Sequence, residues 1–252
     1  MTDPIYLPPP WHHHERYHYW HFMAAYFMPA VLRMHPEQRY WVEDCGPMHF
    51  AWEELAASYK IEKLPEHIDR TQLTAMQLKR YGNPQLGQQG YELTSTQVDR
   101  FRGRLFEAVR PSVQEQNGVL LITRKPAPDF YKHLEKGNTS GAGRRYLQDP
   151  EAIAEAISQH RPCRIASTEG LSIKEQVELF GGYKYIVMQH GAAMFNLIFS
   201  IRRGVRVVEI THPKATSYFA KWCRVLGVTR TVLTGPDFGQ NINPQEVANC
   251  IP

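Results

Sequence analysis

The C-terminal half of the chain alternates short apolar segments with helical segments, and this alternation constrains the fold more than any other feature. The apolar segments, 4 to 8 residues long as in ordinary buried strands, occupy residues 118–124, 163–167, 185–189, 205–210 and 229–233. Between them lie the helical segments 149–160, 172–182, 191–200 and 215–227. Strands that alternate with helices of this length predict a parallel sheet of Rossmann type.

Helix start signals support this interpretation. Asp149 and Pro150 are typical of the cap and first position of a helix, and Ser172 with Glu175 forms a capping-box pattern. The N-terminal half is less regular, with helices expected near residues 17–34, 51–59 and 94–109 and a strand at 39–42. We therefore predict an α/β protein with two domains, residues 1–110 and 111–252.

Composition excludes several classes of protein. Of the 252 residues, 42% are hydrophobic and 21% charged, as in soluble globular proteins, and the net charge of +4 suits a small anionic ligand but is too weak to indicate nucleic acid. No apolar run approaches the roughly 18 residues of a membrane span, and the N-terminus does not resemble a signal peptide. Four scattered cysteines predict free thiols in a reducing compartment. We expect a soluble cytoplasmic protein, of bacterial or viral rather than Golgi origin.

Three adjacent histidines, His12 to His14, are more typical of a loop than of a metal site.

His190 stands where an apolar segment gives way to a helix, followed by Gly191 and Ala192. Ligands of an open parallel sheet bind beyond the carboxyl ends of its strands. The amides and positive dipole at a helix N-terminus favour a phosphate, and small residues let it approach the backbone. The alternative is a histidine packed in a tight turn.

Three arginines strengthen the anion-site interpretation. Arg124 ends another predicted strand and is expected at the same sheet edge, and Arg144 and Arg145 follow a glycine-rich segment, residues 136–145. Each arginine has an alternative interpretation as a solvated surface charge. Neither GxGxxG nor GxxxxGK[ST] is present, so the pattern favours neither a dinucleotide site nor a P-loop.

The C-terminal half resembles glycosyltransferase family 61. The signature comprises a strand ending in arginine, an arginine-bearing loop, a helix with Glu-Gln, a His-Gly-Ala triplet, an asparagine and a strand ending in glutamate. Its members here, in the order of the family over residues 124–209, are Arg124, Arg145, Glu175, Gln176, His190, Gly191, Ala192, Asn196 and Glu209. The resemblance implies that these residues, with Arg144, bind the donor. We expect Glu209 to hydrogen-bond the ribose hydroxyls.

The N-terminal half resembles the family more faintly. Members carry a histidine on an aromatic helix, an acidic residue four positions on and a proline eight positions on. Here His21 and Pro29 match, but Ala25 occupies the acidic position. If that carboxylate is catalytic in relatives, another group must replace it. The candidates are His18, His21, Glu43 and Asp44, although the histidines also fit an aromatic core and the two carboxylates a solvated turn.

The resemblance implies a GT-B-like architecture of two Rossmann-like lobes facing a cleft, with the acceptor on the N-terminal lobe and the nucleotide sugar on the C-terminal lobe. It implies an inverting, metal-independent transfer of a sugar, xylose or N-acetylglucosamine, from a UDP-sugar to a glycan hydroxyl. The acceptor would be a surface polysaccharide or a glycoprotein glycan during its synthesis. The enzyme would be a hexosyl- or pentosyltransferase with no other cofactor. Two alternatives remain: a phosphate-ester hydrolase that uses the same anion site, and an inactive glycan- or nucleotide-binding module.

Overall fold

The computed structural model describes residues 3–9, 19–76, 93–124, 147–215, 219–235 and 241–252. The chain divides into two compact units, Met1–Arg110 and Pro111–Pro252. Several candidates of the sequence analysis lie outside the described residues: His12 to His14, His18, Arg144 and Arg145. In the part of the chain that the structure describes, no helix is both long and apolar enough to cross a membrane.

The first unit contains a small parallel sheet in the order β1-β2-β3. Its elements are β1 (Ile5–Leu7), α1 (Tyr19–His21), a π-helical segment (Phe22–Phe27), α2 (Met28–Val31), β2 (Tyr40–Val42), a 3-10 turn (Gly46–Met48), α3 (Phe50–Tyr59), β3 (Ile61–Lys63), a second 3-10 turn (Arg70–Gln72) and α4 (Ser95–Val109). The helices expected near residues 17–34, 51–59 and 94–109 and the strand at 39–42 are therefore confirmed where the structure describes them. Strands β1 and β3 were not predicted.

An aromatic cluster forms the core of the first unit. The ring of Phe27 lies 4.8 Å from that of Trp52 on α3 and 6.2 Å from that of Phe101 on α4, measured between centroids. The amide of Met28 donates to the carbonyl of Met23, five residues back, and this spacing defines the π-helical segment. The π-helical segment thus supplies Phe27 to the aromatic cluster of this unit.

The second unit contains a five-stranded parallel sheet in the order β5-β4-β6-β7-β8. Its elements are β4 (Gln116–Thr123), α5 (Pro150–Ser158), β5 (Cys163–Ser167), α6 (Ile173–Gly182), β6 (Tyr183–Gln189), a 3-10 helix (Ala192–Phe199), β7 (Arg206–Thr211), a 3-10 turn (Pro213–Ala215), α7 (Ala220–Leu226), β8 (Thr229–Thr234) and α8 (Pro244–Asn249). The predicted α/β class, with a parallel Rossmann-type sheet in the C-terminal half as in a GT-B-like protein, is confirmed. The segment 191–200 is a 3-10 helix, helix 215–227 is shorter than expected, and α8 was not predicted.

The predicted helix caps are present. The Asp149 carboxylate accepts from the amide of Ala152 at 2.8 Å. In the capping box of α6, the Glu175 amide donates to the Ser172 hydroxyl at 3.1 Å, and the Ser172 amide donates to the Glu175 carboxylate at 2.8 Å. These bonds satisfy amide groups that the first helical turn leaves without intrahelical partners.

The strand order creates a topological switch point between β4 and β6. From β4 the chain crosses to β5 on one side, and from β5 it crosses back past β4 to β6, β7 and β8 on the other. The connections that leave the adjacent strands β4 and β6 therefore run in opposite directions, to β5 and to β7. A crevice at such a point, outside the carboxyl ends of the strands, is the usual ligand site of an open α/β sheet.

The two faces of this sheet are packed differently at β7. Val208 and Ile210 join the apolar cluster that includes Ile153 and Ile157 of α5. Because successive side chains of a strand point to opposite faces, Glu209 points away from that cluster, although it is completely buried. A buried carboxylate in the interior of a sheet requires charged or hydrogen-bonding partners.

Candidate functional site

The turn after β6 brings Arg124 onto the backbone of Gly191. Arg124 follows the last residue of β4, and its Nη2 donates to the carbonyl oxygen of His190 at 3.4 Å. Gly191 has φ +154° and ψ −164°, a region that only glycine adopts readily. A Cβ on Gly191 would lie 1.8 Å from Arg124 Nη2. The absence of a side chain at this position is therefore what lets the guanidinium lie against the turn.

The 3-10 helix begins at this turn and directs amide groups to the same sheet edge. Met194 is the first residue whose amide bonds back into the turn, to the Gly191 carbonyl at 3.0 Å. The amides of Ala192 and Ala193 precede the first intrahelical bond, and both residues are only half-buried. Trp222 of α7 anchors the helix, since its Nε1 donates to the Met194 carbonyl at 2.9 Å. Arg124 and the amides that precede the first intrahelical bond thus follow the ends of the adjacent strands β4 and β6.

His190 is one end of a buried chain of charged groups. Its Nδ1 lies 2.6 Å from Oε1 of Glu209, and Nε of Arg230 on β8 donates to the other oxygen, Oε2, at 2.5 Å. The ring of Phe219 packs on the imidazole, with centroids 4.8 Å apart. The side chains of all three charged residues are almost or completely buried. The carboxylate fixes the histidine's orientation and the nitrogen that carries its proton.

Arg230 was not predicted, although the sequence contains a signal for it. Its strand position pairs with Val207, so it shares a face with Glu209 two residues further along β7. A glutamate within an apolar strand requires a cation, and Arg230 is the basic residue of the neighbouring strand β8.

The position of Glu209 bears on the expectation that it binds ribose. Both carboxylate oxygens are bonded to protein side chains, and the residue has no exposed surface. A ribose hydroxyl would have to displace His190 or Arg230 to reach it. In this structure Glu209 links those two residues.

Three further residues implied as donor-binding have bonds within the scaffold. The Nδ2 group of Asn196 donates to Oε1 of Gln176 at 2.8 Å, and Nε2 of Gln176 donates to the Leu171 carbonyl at 2.9 Å. This buried pair ties the 3-10 helix to the start of α6. Glu175 is exposed, and the hydrogen bond from the Ser172 amide lowers its pKa. These contacts position the loop around Gly191.

In the first unit, Glu43 follows the central strand β2, and Tyr6 and Arg70 are among its partners. It accepts a hydrogen bond from the Tyr6 hydroxyl, and Nη1 of Arg70 lies 3.1 Å from its Oε1. Only 11% of the Glu43 side chain is exposed. Glu43 is thus a nearly buried carboxylate at the carboxyl end of a parallel strand, and a phenol and a guanidinium hold it in place. A carboxylate in a solvated turn would have neither this burial nor these partners. The sequence analysis identified Glu43 but neither partner.

The other catalytic candidates of this unit differ from Glu43. Asp44 is exposed, and the hydrogen bond from Lys63, 2.6 Å away, lowers its pKa together with the bond from the Gly46 amide. Both carboxylates have a cationic partner, and the difference between them is that Asp44 lies in solvent whereas Glu43 is nearly buried. His21 is the last residue of α1 and half-buried, at the point where the helix widens into the π-helical segment.

The remaining candidate groups are the cysteines and potential metal ligands. All four cysteines are free, and burial raises the pKa of Cys223 to about 12 and of Cys163 to about 11. Among the described residues, no group of three or more histidine, cysteine, aspartate or glutamate side chains is arranged to hold a metal ion.

Comparison with models of protein families gives a match. The family model described as Glycosyltransferase 61 matches residues 19–208, which is well over half of the chain. No curated protein matches.

Proposed function

This chain belongs to glycosyltransferase family 61 and is a glycosyltransferase, and we propose that it transfers a sugar from a UDP-sugar to a glycan hydroxyl with inversion. One observation carries the proposal: Arg124 and the His190–Gly191 turn lie together at the ends of β4 and β6, the two strands that flank the switch point. This is where an open parallel sheet binds a nucleotide.

The diphosphate of the donor fits the groups at this point. The Arg124 guanidinium offers charge-assisted hydrogen bonds, and the amides of Ala192 and Ala193 add backbone donors at a helix start. As the glycosidic bond to the diphosphate breaks, negative charge grows on the leaving phosphate oxygen. Donors that are already in place stabilise this charge without reorganising. Arg144 and Arg145, outside the described residues, are proposed to add further positive charge.

The same reasoning leads us to propose that the transfer needs no divalent metal. A leaving diphosphate requires either a metal ion or preorganised cationic donors, and Arg124 with the turn amides supplies the second. UDP is the proposed carrier, with xylose or N-acetylglucosamine as the sugar and a surface polysaccharide or glycoprotein glycan as the acceptor.

Inversion also requires a base that removes the proton of the acceptor hydroxyl. We assign this role to the first unit, with Glu43 as the first candidate and His21 as the second. Glu43 has a fixed position because Tyr6 and Arg70 hold it. Asp44 is disfavoured because its side chain is exposed and lacks the enclosed setting of Glu43.

The test is a hydrolysis screen over nucleotide sugars in the presence of EDTA, with detection of the released nucleoside diphosphate. Transferases often cleave their own donor slowly in water, so one UDP-sugar should be consumed without an acceptor. Consumption of no nucleotide sugar, with or without added metal and acceptor glycans, would count against the transferase proposal. Binding of UDP without any turnover would indicate a binding module, and phosphate release from simple esters would indicate a hydrolase.

A further inference from the structure

The loop after β5 carries a carboxylate that no step of the proposed transfer uses. Glu169 lies two residues beyond Ser167, the last residue of β5, at the carboxyl edge of the five-stranded sheet. We propose that Glu169 accepts hydrogen bonds from the ribose hydroxyls of the donor nucleotide. This assignment rests on the proposed function, because the ribose belongs to the UDP-sugar.

One oxygen of Glu169 lacks a protein partner. Its Oε2 atom is buried, and no hydrogen-bond donor reaches it among the residues that the structure describes. A buried carboxylate oxygen without a hydrogen bond costs free energy, and such atoms are rare in folded proteins. The residue as a whole is only partly buried, so a ligand at the sheet edge can approach it. Glu169 thus retains an acceptor that a donor group of a ligand can satisfy.

The topology of the sheet places Glu169 beside the proposed nucleotide site. Strand β5 pairs with β4, and Ser167 lies opposite Thr123, the residue before Arg124. In nucleotide-binding sheets of Rossmann type, the phosphates lie at the end of the first strand, and an acidic residue beyond the neighbouring second strand binds the ribose. Strands β4 and β5 are the first and second strands of this unit, and they are neighbours in the sheet. Glu169 therefore occupies the position of that acidic residue.

A short turn fixes the position of Glu169. The Leu171 amide donates to the Thr168 carbonyl at 3.3 Å, which closes a four-residue turn with Glu169 as its second residue. Gly170, the third residue, has a φ of +83°, as a type II turn requires at this place. The capping box of α6 begins directly afterwards, at Ser172. The side chain thus projects from a turn that is held between a strand and a capped helix.

Hydrogen bonds also connect this turn to the turn at Gly191. The Leu171 carbonyl accepts from Nε2 of Gln176, and Oε1 of Gln176 accepts from Nδ2 of Asn196 in the 3-10 helix. Because that helix begins directly after Gly191, one buried amide pair holds both turns. Gln176 and Asn196 thus position Glu169 relative to the groups that are proposed to bind the diphosphate.

The chemistry of a carboxylate selects the ribose among the parts of the donor. An ionised carboxylate only accepts hydrogen bonds, and it repels a phosphate. Its ligand must therefore offer donors and lie to one side of the diphosphate. The two adjacent hydroxyls of a ribose meet both conditions. Glu209, the earlier candidate for this role, has both carboxylate oxygens bonded to protein side chains.

The first experiment compares two nucleotides that differ only in the ribose hydroxyls. UDP and 2′,3′-dideoxy-UDP are titrated calorimetrically, in EDTA, into the wild-type protein and Glu169→Ala. The wild-type protein should bind UDP about tenfold or more tightly than the dideoxy analogue, and Glu169→Ala should bind the two about equally. The matched control Glu155→Ala removes an exposed carboxylate from α5 and should retain the preference. An undiminished preference for UDP in Glu169→Ala would overturn the proposal.

Inorganic pyrophosphate separates a ribose contact from damage to the phosphate site, because it carries the charge without the nucleoside. Glu169→Ala should bind pyrophosphate as tightly as the wild-type protein or more tightly, since a repelling charge has been removed, while UDP binds more weakly. An equal loss of affinity for both ligands would refute the ribose contact. If Glu169→Ala is too unstable to titrate, Glu169→Gln replaces it: a reduced preference for UDP supports the proposal, and an unchanged preference refutes it.

The second experiment needs no nucleotide. Glu169→Gln retains the volume of the side chain, and the buried oxygen has no protein partner to lose, so the unfolding temperature should equal or exceed the wild-type value. A clear decrease would assign Glu169 to the stability of the fold and contradict the proposal. A wild-type protein that binds no nucleoside diphosphate would refute the proposed function and the ribose contact together. UDP binding that Glu169→Ala leaves unchanged would refute the ribose contact alone.

Discussion

Replacement of Gly191 by alanine is predicted to damage both stability and nucleotide binding. The residue's φ of +154° and ψ of −164° lie in a region that costs a non-glycine residue about 1–3 kcal/mol. The new Cβ would also lie 1.8 Å from Nη2 of Arg124, so the flexible end of that side chain has to move. Loss of one charge-assisted hydrogen bond to the diphosphate is worth about 1.5–3 kcal/mol, or roughly 10- to 150-fold in UDP affinity.

Gly227→Ala separates the two effects. Gly227 also has a positive φ, +68°, but nothing lies within 4 Å of the position of its Cβ, and it ends α7. The control should lose about 1 kcal/mol of stability from backbone strain alone and keep its UDP affinity. Denaturant unfolding and UDP titration are measured on both variants. If Gly191→Ala binds UDP as tightly as the wild-type protein, the assignment of Arg124 and this turn to the diphosphate is wrong.

Further predictions concern the individual groups. Arg145→Ala should weaken UDP binding by about 1.5–3 kcal/mol in a direct titration, and an unchanged affinity would remove Arg145 from the site. His190→Ala should lower turnover about a hundredfold or more and also weaken nucleotide binding; full activity would mean that His190 is only a packed turn residue. Glu43→Gln should lower turnover but spare nucleotide affinity, as expected when the acceptor base is lost, and retained turnover would leave His21 as the next candidate. Activity should survive EDTA, and loss that manganese reverses would reveal a metal site.

The second unit was the more predictable part of the fold. Strands buried on both faces are continuous apolar runs, so residues 118–124 and 185–189 stand out. The cap at Ser172 marks the start of a helix. Strands β1 and β3 of the first unit have three residues each, which is too short for any pattern to appear. Their pairing with β2 depends on tertiary contacts.

The site was less predictable than the fold. Gln176 and Asn196 were singled out as ligand-binding, yet they bond to each other and to the scaffold. A buried amide that holds a loop and one that touches a ligand are the same residue type in a sequence, so the pattern cannot distinguish them. Arg230 was missed for a related reason. Glu209 was noticed in the sequence, but its pairing with Arg230 becomes evident only when the register of β7 and β8 is known.

The most direct measurement of the central claim is a calorimetric titration of UDP into the wild-type protein and Arg124→Gln, both in EDTA. Arg124 is the side chain that reaches the turn from the other strand of the switch point. We predict that the wild-type protein binds UDP without metal and that the variant binds at least about tenfold more weakly while its unfolding temperature stays close to the wild-type value. Equal affinities for UDP in the two proteins would contradict the claim that the ends of β4 and β6 form the nucleotide site.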